Sequence, residues 1–335
     1  MQVAVLGGGV IGLSVAWRVA ADGWSVTVFD DESRHGGSWV AGGMLAPVTE
    51  AWHGEEPLLD LGCRSLELWP EFAAELGDIG LRTEGTLAVA TDRADVEVLD
   101  GLAAYLGELG REAHRLTGRE LRRLEPGIGP RVRGGLSVPG DLAVDNRALL
   151  VALRKACDAH GVRFEPRRAR VSTVDFDVTV IAAGAWSGEL HPALLSVIRP
   201  VKGEILRLAS RRGTLPPPTR TIRAHVEGRP IYLVPRPGGL VLGATQYEAG
   251  FDDGVTVGGV RDLLRDAEVV LPGIAEYALV ESAAGFRAGS PDNLPVIGWL
   301  EPGVLAATGH HRNGLLLAPV TAQRVLELLR EGGDG

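Results

Sequence analysis

Three glycines, Gly7, Gly9 and Gly12, fall in the spacing GxGxxG directly after a short apolar run and at the start of a longer one. The first permits a tight turn, the second lets the backbone approach a pyrophosphate, and the third lets a helix pack closely on a strand. The helix start then offers N–H groups and a partial positive charge to phosphate oxygens. Asp30 closes the next apolar run, where a carboxylate accepts hydrogen bonds from ribose hydroxyls and repels a 2′-phosphate. A glycine triplet alone fits a ligand-free turn. Set between a strand and a helix, with an acidic residue ending the second strand, it predicts FAD or NAD. The loop Gly36, Gly37, Ser38, followed by Ala41, Gly42, Gly43 and Met44, offers a second close approach to a ligand and suits a long flavin cofactor threaded between two domains.

These residues need a β-α-β unit to hold them. Residues 2–6 read as a strand, 10–21 as a helix stopped by Gly23, and 25–29 as a second buried strand. Further on, 58–74 suits a helix and 85–90 a strand, while Thr117 and Glu120 make a capping box for a short helix that Pro126 ends. Residues 146–160 put Leu149, Leu150, Leu153 and Cys157 on one helical face, 178–183 is an unbroken apolar strand, and 315–329 is a final helix. Residues 198–208, 231–235, 240–244 and 277–286 look like longer strands joined by Pro/Gly turns, as in an antiparallel sheet. The expected fold is α/β: a Rossmann-like domain of 1–84, 140–197 and 288–335, interrupted twice by a mostly antiparallel-sheet substrate domain of 85–139 and 198–287.

The chain of 335 residues is long enough for two cored domains. With 34 Lys and Arg against 43 Asp and Glu and no basic block, the formal charge of −9 leaves no footprint for nucleic acid. Neither a signal peptide nor a membrane helix can be drawn at the N-terminus, because the apolar stretch is broken by Gly7 to Gly9 and by Arg18. Two distant cysteines, Cys63 and Cys157, fit no disulfide framework or zinc cluster; both read as small core residues of a cytoplasmic protein. His310 and His311 are adjacent, which rarely lets two rings meet one ion, and no metal is expected.

Seven segments in chain order carry a wider likeness: GGGVIGLSVAW from Gly7, VAGGMLAP from Val40, VIAAGAWSG from Val180, RPVKGEI from Arg199, PIYLVPR from Pro230, FRAGSPDNLPVIG from Phe286 and GHHRNGLLLAP from Gly309. Together they resemble the D-amino-acid oxidase superfamily of FAD enzymes, and within it the glycine oxidases of the thiamine-biosynthesis type. The resemblance implies oxidative deamination of glycine and small amines with dioxygen, giving an imine or glyoxylate, ammonia and hydrogen peroxide. It implies FAD contacts at Val10 and Ile11, at Asp30 and Asp31, at Gly37 and Ser38, at Gly42, Gly43 and Met44, at Val171 beside the adenine, and at His310, His311, Arg312, Asn313, Gly314, Leu315 and Leu316 near the isoalloxazine.

By itself Arg287 reads as a surface arginine paired with a carboxylate, and Tyr232 as an interior strand residue whose hydroxyl needs a partner. The resemblance implies that Arg287 grips the substrate carboxylate with help from Tyr232, near Arg312 and Met44. His311 departs from the aromatic residue usual there. The run Gly309 to Gly314 is expected to aim a helix N-terminus at the ring, with His310 and His311 tuning it electrostatically. Related sarcosine oxidases tether their flavin through a late cysteine; none follows Cys157, so non-covalent FAD is expected. The partners expected are a small amine and dioxygen, a thiazole synthase taking the imine, and further copies of the chain in a homo-oligomer. Sarcosine, D-alanine or D-proline as preferred substrate, transfer to an acceptor other than dioxygen, and a non-catalytic FAD subunit remain open.

Overall fold

A computed structural model describes residues 1–31 and 36–332 of the chain. Its first sheet has six strands in the order Val296–Glu301, Val304–Thr308, Val178–Ile181, Gln2–Leu6, Ser25–Phe29 and Arg163–Glu165. All neighbours run parallel except the hairpin at one edge. The central strands are apolar at successive positions because both faces are covered. Val3 and Val5 point into a cluster with the helices Val10–Ala21, Glu56–Leu76, Asn146–Ala159 and Ala318–Gly332. Ala4 and Leu6 point the other way, onto Phe29 and Ala169.

The second sheet has eight strands in the order Ala278–Gly289, Arg199–Ala209, Gly239–Gly243, Arg229–Arg236, Thr221–Val226, Thr86–Ala90, Gly134–Val138 and His114–Thr117. Only the contact of Thr221–Val226 with Thr86–Ala90 is parallel. Strand alternation divides its residues between two destinations. Ile222, Ala224, Leu233, Leu206 and Leu242 pack against Leu263, Ala267 and Val270 of the helix Val257–Val270. Their neighbours Arg223, His225, Tyr232, Gly203 and Ile205 face the opposite side and line a cavity. Arg287 shares that side, because Val201↔Arg287, Gly203↔Gly285 and Ile205↔Ala283 are facing pairs.

The long apolar elements lie where the sequence pattern puts them, and the capping box of Thr117 and Glu120 is formed. The helices Arg93–Glu108 and Val257–Val270 escape the pattern: the first carries Gly101 and Gly107, the second Gly258 and Gly259, and both mix charges along an apolar stripe. The last helix starts at Ala318 rather than 315, because Pro319 has no N–H to continue a ladder and is tolerated only in a first turn. Cys157 is buried, its thiol donating to the Leu13 carbonyl at 3.4 Å. Cys63 is only half-buried, beside Val48, Leu106 and Val138, so it is a rim residue of a small cluster and not part of the main core. Among the described residues no helix is long and apolar enough to cross a membrane.

The turn ahead of the last helix is anchored from below. The Leu316 carbonyl accepts from Ser65 Oγ at 2.6 Å and from Trp69 Nε1 at 2.9 Å, and Trp69 is fully buried edge-on to Phe72. Trp69→Ala is expected to cost about 3–5 kcal/mol of stability, read from the chemical denaturation midpoint; a loss below ~1 kcal/mol would show that the turn is held by other contacts.

Candidate functional site

One cavity of about 1140 Å³ takes its walls from both sheets and from the loops between them. Ordinary small-molecule sites span roughly 300–1,000 Å³, so this one has room for an extended cofactor and a small second molecule. At one end the glycine turn is built by close approach of backbones. Gly7 has φ +117° and is packed against the backbone of Ala182 and Ala183, where any Cβ would collide. Gly12 lies against the Gly7 carbonyl, so it sets the distance between helix and strand and does not itself line the cavity. Gly7, Gly9, Val10 and Ile11 do line it. The Gly8 N–H donates to Asp30 Oδ2 at 2.5 Å, and the Val10 N–H donates to Ser38 Oγ at 3.1 Å, which joins the glycine turn to the second loop.

That second loop is held from behind by buried Asn146, whose Nδ2 donates to the Ser38 and Trp39 carbonyls at 2.9 and 2.8 Å. Arg236 Nη2 donates to the Gly42 carbonyl at 2.8 Å, and Gly43, at φ +90°, is packed on the Val144 carbonyl. Gly37 is packed on the Phe286 carbonyl. Gly37, Ser38, Gly42, Gly43 and Met44 all line the cavity. Asp31 lines it too, paired with Arg168 at 2.7 Å. A row of positions that admit no Cβ, opening on a helix start, is the surface a dinucleotide requires.

At the other end, cross-strand pairing lines up Ile205, Gly243, Tyr232 and Arg223. A Cβ on Gly203 would sit 2.7 Å from the Arg287 guanidinium carbon, and one on Gly42 would sit 2.9 Å from the Tyr232 hydroxyl oxygen. Glycine at these two positions therefore makes the space that Arg287 and Tyr232 occupy. Arg287 is not a surface ion pair. Its Nη1 donates only long bonds, 3.4 Å to the Lys202 carbonyl and 3.3 Å to the Thr245 carbonyl, and it pairs with no carboxylate among the described residues. Burial lowers its pKa from the ordinary arginine value, opposed by Tyr232 and Glu50 and reinforced by Arg312. Burial likewise raises the Tyr232 phenol. A planar cation with spare donors in the cavity wall is suited to a small carboxylate.

Four sequence expectations change here. Val171 is not in the cavity wall: it lies in the 3-10 turn Val171–Thr173, packed on the apolar clusters of Ile181 and Phe29, and Arg168 and Ala169 line that end instead. Asn313 and Leu316 are buried in the turn behind the wall, while His310, His311, Arg312, Gly314 and Leu315 line it. The helix N-terminus expected beside Gly314 is replaced by the 3-10 turn His311–Asn313, the regular helix beginning only at Ala318. Finally, burial pushes both His310 and His311 down to about 3, so these imidazoles stay neutral and supply no tuning charge. Arg312 is likewise partnered, with Glu55 at 2.7 Å.

Glu50, Thr49, Arg223 and His225 were not singled out from the sequence, yet all four line the substrate end. Arg223 and His225 sit two apart on one strand face, alternating with apolar residues. A charged face on a strand whose other face is core was the available signal.

The chain matches the family described as FAD dependent oxidoreductase over residues 2–328. It is 34% identical to the "Putative thiamine biosynthesis oxidoreductase ThiO" of Rhizobium etli, covering 100% of this chain and 98% of that one. It is 32% identical to the "Bifunctional protein ThiO/ThiG" of Nostoc sp., covering 98% of this chain but 53% of the relative, so it spans about half the length of such bifunctional relatives. The crystal structure of glycine oxidase from Geobacillus kaustophilus superposes with a TM-score of 0.89 at 30% identity, over 98% of this chain and 95% of that one.

The space around Arg287 gives a direct test of the anion site. Gly203→Ala is expected to displace the guanidinium and weaken binding of acetate at least tenfold, measured by titration of the purified protein, while the melting temperature changes little. Unaltered acetate binding would show that the Gly203 gap is not needed to seat Arg287.

Proposed function

The chain belongs to the family of FAD-dependent oxidoreductases, and we propose that within it this protein oxidises glycine and other small amino acids, with Arg287 and Tyr232 holding the substrate carboxylate. The observation that carries this reading is that Arg287 meets no carboxylate among the described residues, while its guanidinium lines the cavity with two long bonds to carbonyls.

The glycine cradle fits FAD at the positions where a Cβ would fill the space. Gly7, Gly9, Val10 and Ile11 would hold the pyrophosphate at the helix start, and Asp30 the ribose. Gly37, Ser38, Gly42, Gly43 and Met44 would follow the cofactor toward the substrate end, with His310, His311, Arg312, Gly314 and Leu315 flanking the ring. When bound, FAD supplies a two-electron acceptor for the hydride leaving the substrate Cα.

The protein's own work is then positioning. Arg287 fixes the carboxylate by charge-assisted bonds, and Tyr232 adds a hydroxyl donor from the same face of the sheet, three strands away. The substrate nitrogen must be neutral to form the C=N bond; His310 and His311, pushed down to about 3 by burial, are too weakly basic to take its proton. No side chain with a fixed acid–base duty is assigned. The products are the imine, which hydrolyses to glyoxylate and ammonia, and hydrogen peroxide from dioxygen. Delivery of the imine to a thiazole synthase is the further reading, supported by the joined name and double length of the Nostoc relative.

Arg287→Ala removes a charge-assisted contact worth roughly 1.5–3 kcal/mol, so KM for glycine is expected to rise about 10- to 150-fold in a peroxide-release assay. A change below twofold would take Arg287 out of the substrate site. D-Proline turned over more than tenfold faster than glycine would move the substrate class to cyclic amino acids.

A further inference from the structure

The segment carrying Thr49 and Glu50 enters the substrate end of the cavity and is gripped on two sides. On the cavity side, Arg223 Nη1 donates to the Thr49 carbonyl at 2.9 Å and pairs with the Glu50 carboxylate at 3.1 Å. Arg312 Nη2 donates to the Glu50 carbonyl at 3.4 Å and pairs with Glu55. On the far side stands Asp141, in the turn between Gly134–Val138 and Leu142–Ala143, with none of its surface exposed. Its carboxylate accepts from the Val48 N–H at 3.3 Å, the Thr49 N–H at 3.3 Å and the Thr49 hydroxyl at 2.6 Å.

We propose that Asp141 is a positioning residue for the substrate site: it fixes the backbone of Val48 and Thr49, and through them sets Glu50, Arg223 and Arg312 against Arg287. The inference rests on reading the cavity as a small amino-acid site. Three donors converge on one carboxylate, which an ionised aspartate satisfies with its acceptor-only oxygens. An asparagine would turn an amide NH₂ toward at least one of those donors and leave it unmatched. The carboxyl also has reason to resist this place, because burial pushes it up to about 7 against the pull of the three hydrogen bonds and Arg223. Apolar contacts of Val48 with Leu106 and Val138 lie alongside, so the local fold does not hang on the carboxylate alone.

The test uses the FAD-loaded protein and two readouts. Acetate, a carboxylate that cannot be oxidised at a Cα–N bond, is titrated while the flavin absorbance is followed, and steady-state turnover is measured with glycine. In Asp141→Asn the acetate Kd and the glycine KM are expected to rise five- to twentyfold, while kcat stays within twofold and FAD content is unchanged. Thr49→Val, which deletes only the 2.6 Å bond, should move both quantities the same way by a smaller factor. A merely structural Asp141 would lower the melting temperature and leave the split between KM and kcat untouched. Acetate Kd and glycine KM within twofold of wild type in a folded Asp141→Asn protein overturn the proposal; if that variant does not fold, the same result in Thr49→Val overturns it. A wild-type protein indifferent to both acetate and glycine overturns the reading of the cavity and this role with it, a result distinct from a responsive wild type whose variants are unchanged.

Discussion

A guanidinium taken out of water is costly unless something anionic or strongly hydrogen-bonding completes it. Arg287 has two long bonds to carbonyls and no carboxylate among the described residues, and the rest of the site is arranged around that incomplete cation. Gly203 leaves the space it fills, the pairing of Ala278–Gly289 with Arg199–Ala209 turns it toward the cavity, and Glu50 supplies a compensating field without touching it. A small carboxylate would supply the charge and the paired oxygens that this cation lacks.

The two sheets divide the work according to their pleat. The parallel sheet, buried on both faces, ends in the glycine turn and presents a helix start; the antiparallel sheet buries one face on the helix Val257–Val270 and offers the other as a wall. Where the loop of residues 36–43 meets the second sheet, contact is by backbone and glycine, Gly37 on the Phe286 carbonyl and Gly42 against the Tyr232 ring, while Gly43 packs on the Val144 carbonyl. A side chain at any of these points would collide with that carbonyl or ring. Aromatic packing closes another part of the wall, with Trp186 stacked on Phe251 at 5.2 Å and edge-on to Phe286.

Much of this was legible in the amino-acid order because it is local. Gly7, Gly9, Gly12 and Asp30 act within a β-α-β unit of thirty residues, and turn chemistry there is short-range. The core strands and the helix Asn146–Ala159 announce themselves by period. Arg223 and His225 were harder, because the strand Thr221–Val226 is short and its charged positions look like a solvent face until the cavity is seen. Asp141 was out of reach altogether: its partners are Val48 and Thr49, some ninety residues back along the chain. The wall around His310 misled for another reason. Histidine, arginine and asparagine before an apolar run read as a charged helix start, whereas Pro319 delays the helix and burial keeps both rings neutral.

The absorbance spectrum of the purified protein, recorded anaerobically before and after glycine is added, tests the central claim most directly. A yellow protein whose flavin band is lost on addition of glycine and returns on admission of air is the outcome this account requires. A yellow protein that neither glycine nor any other small amino acid bleaches would contradict it.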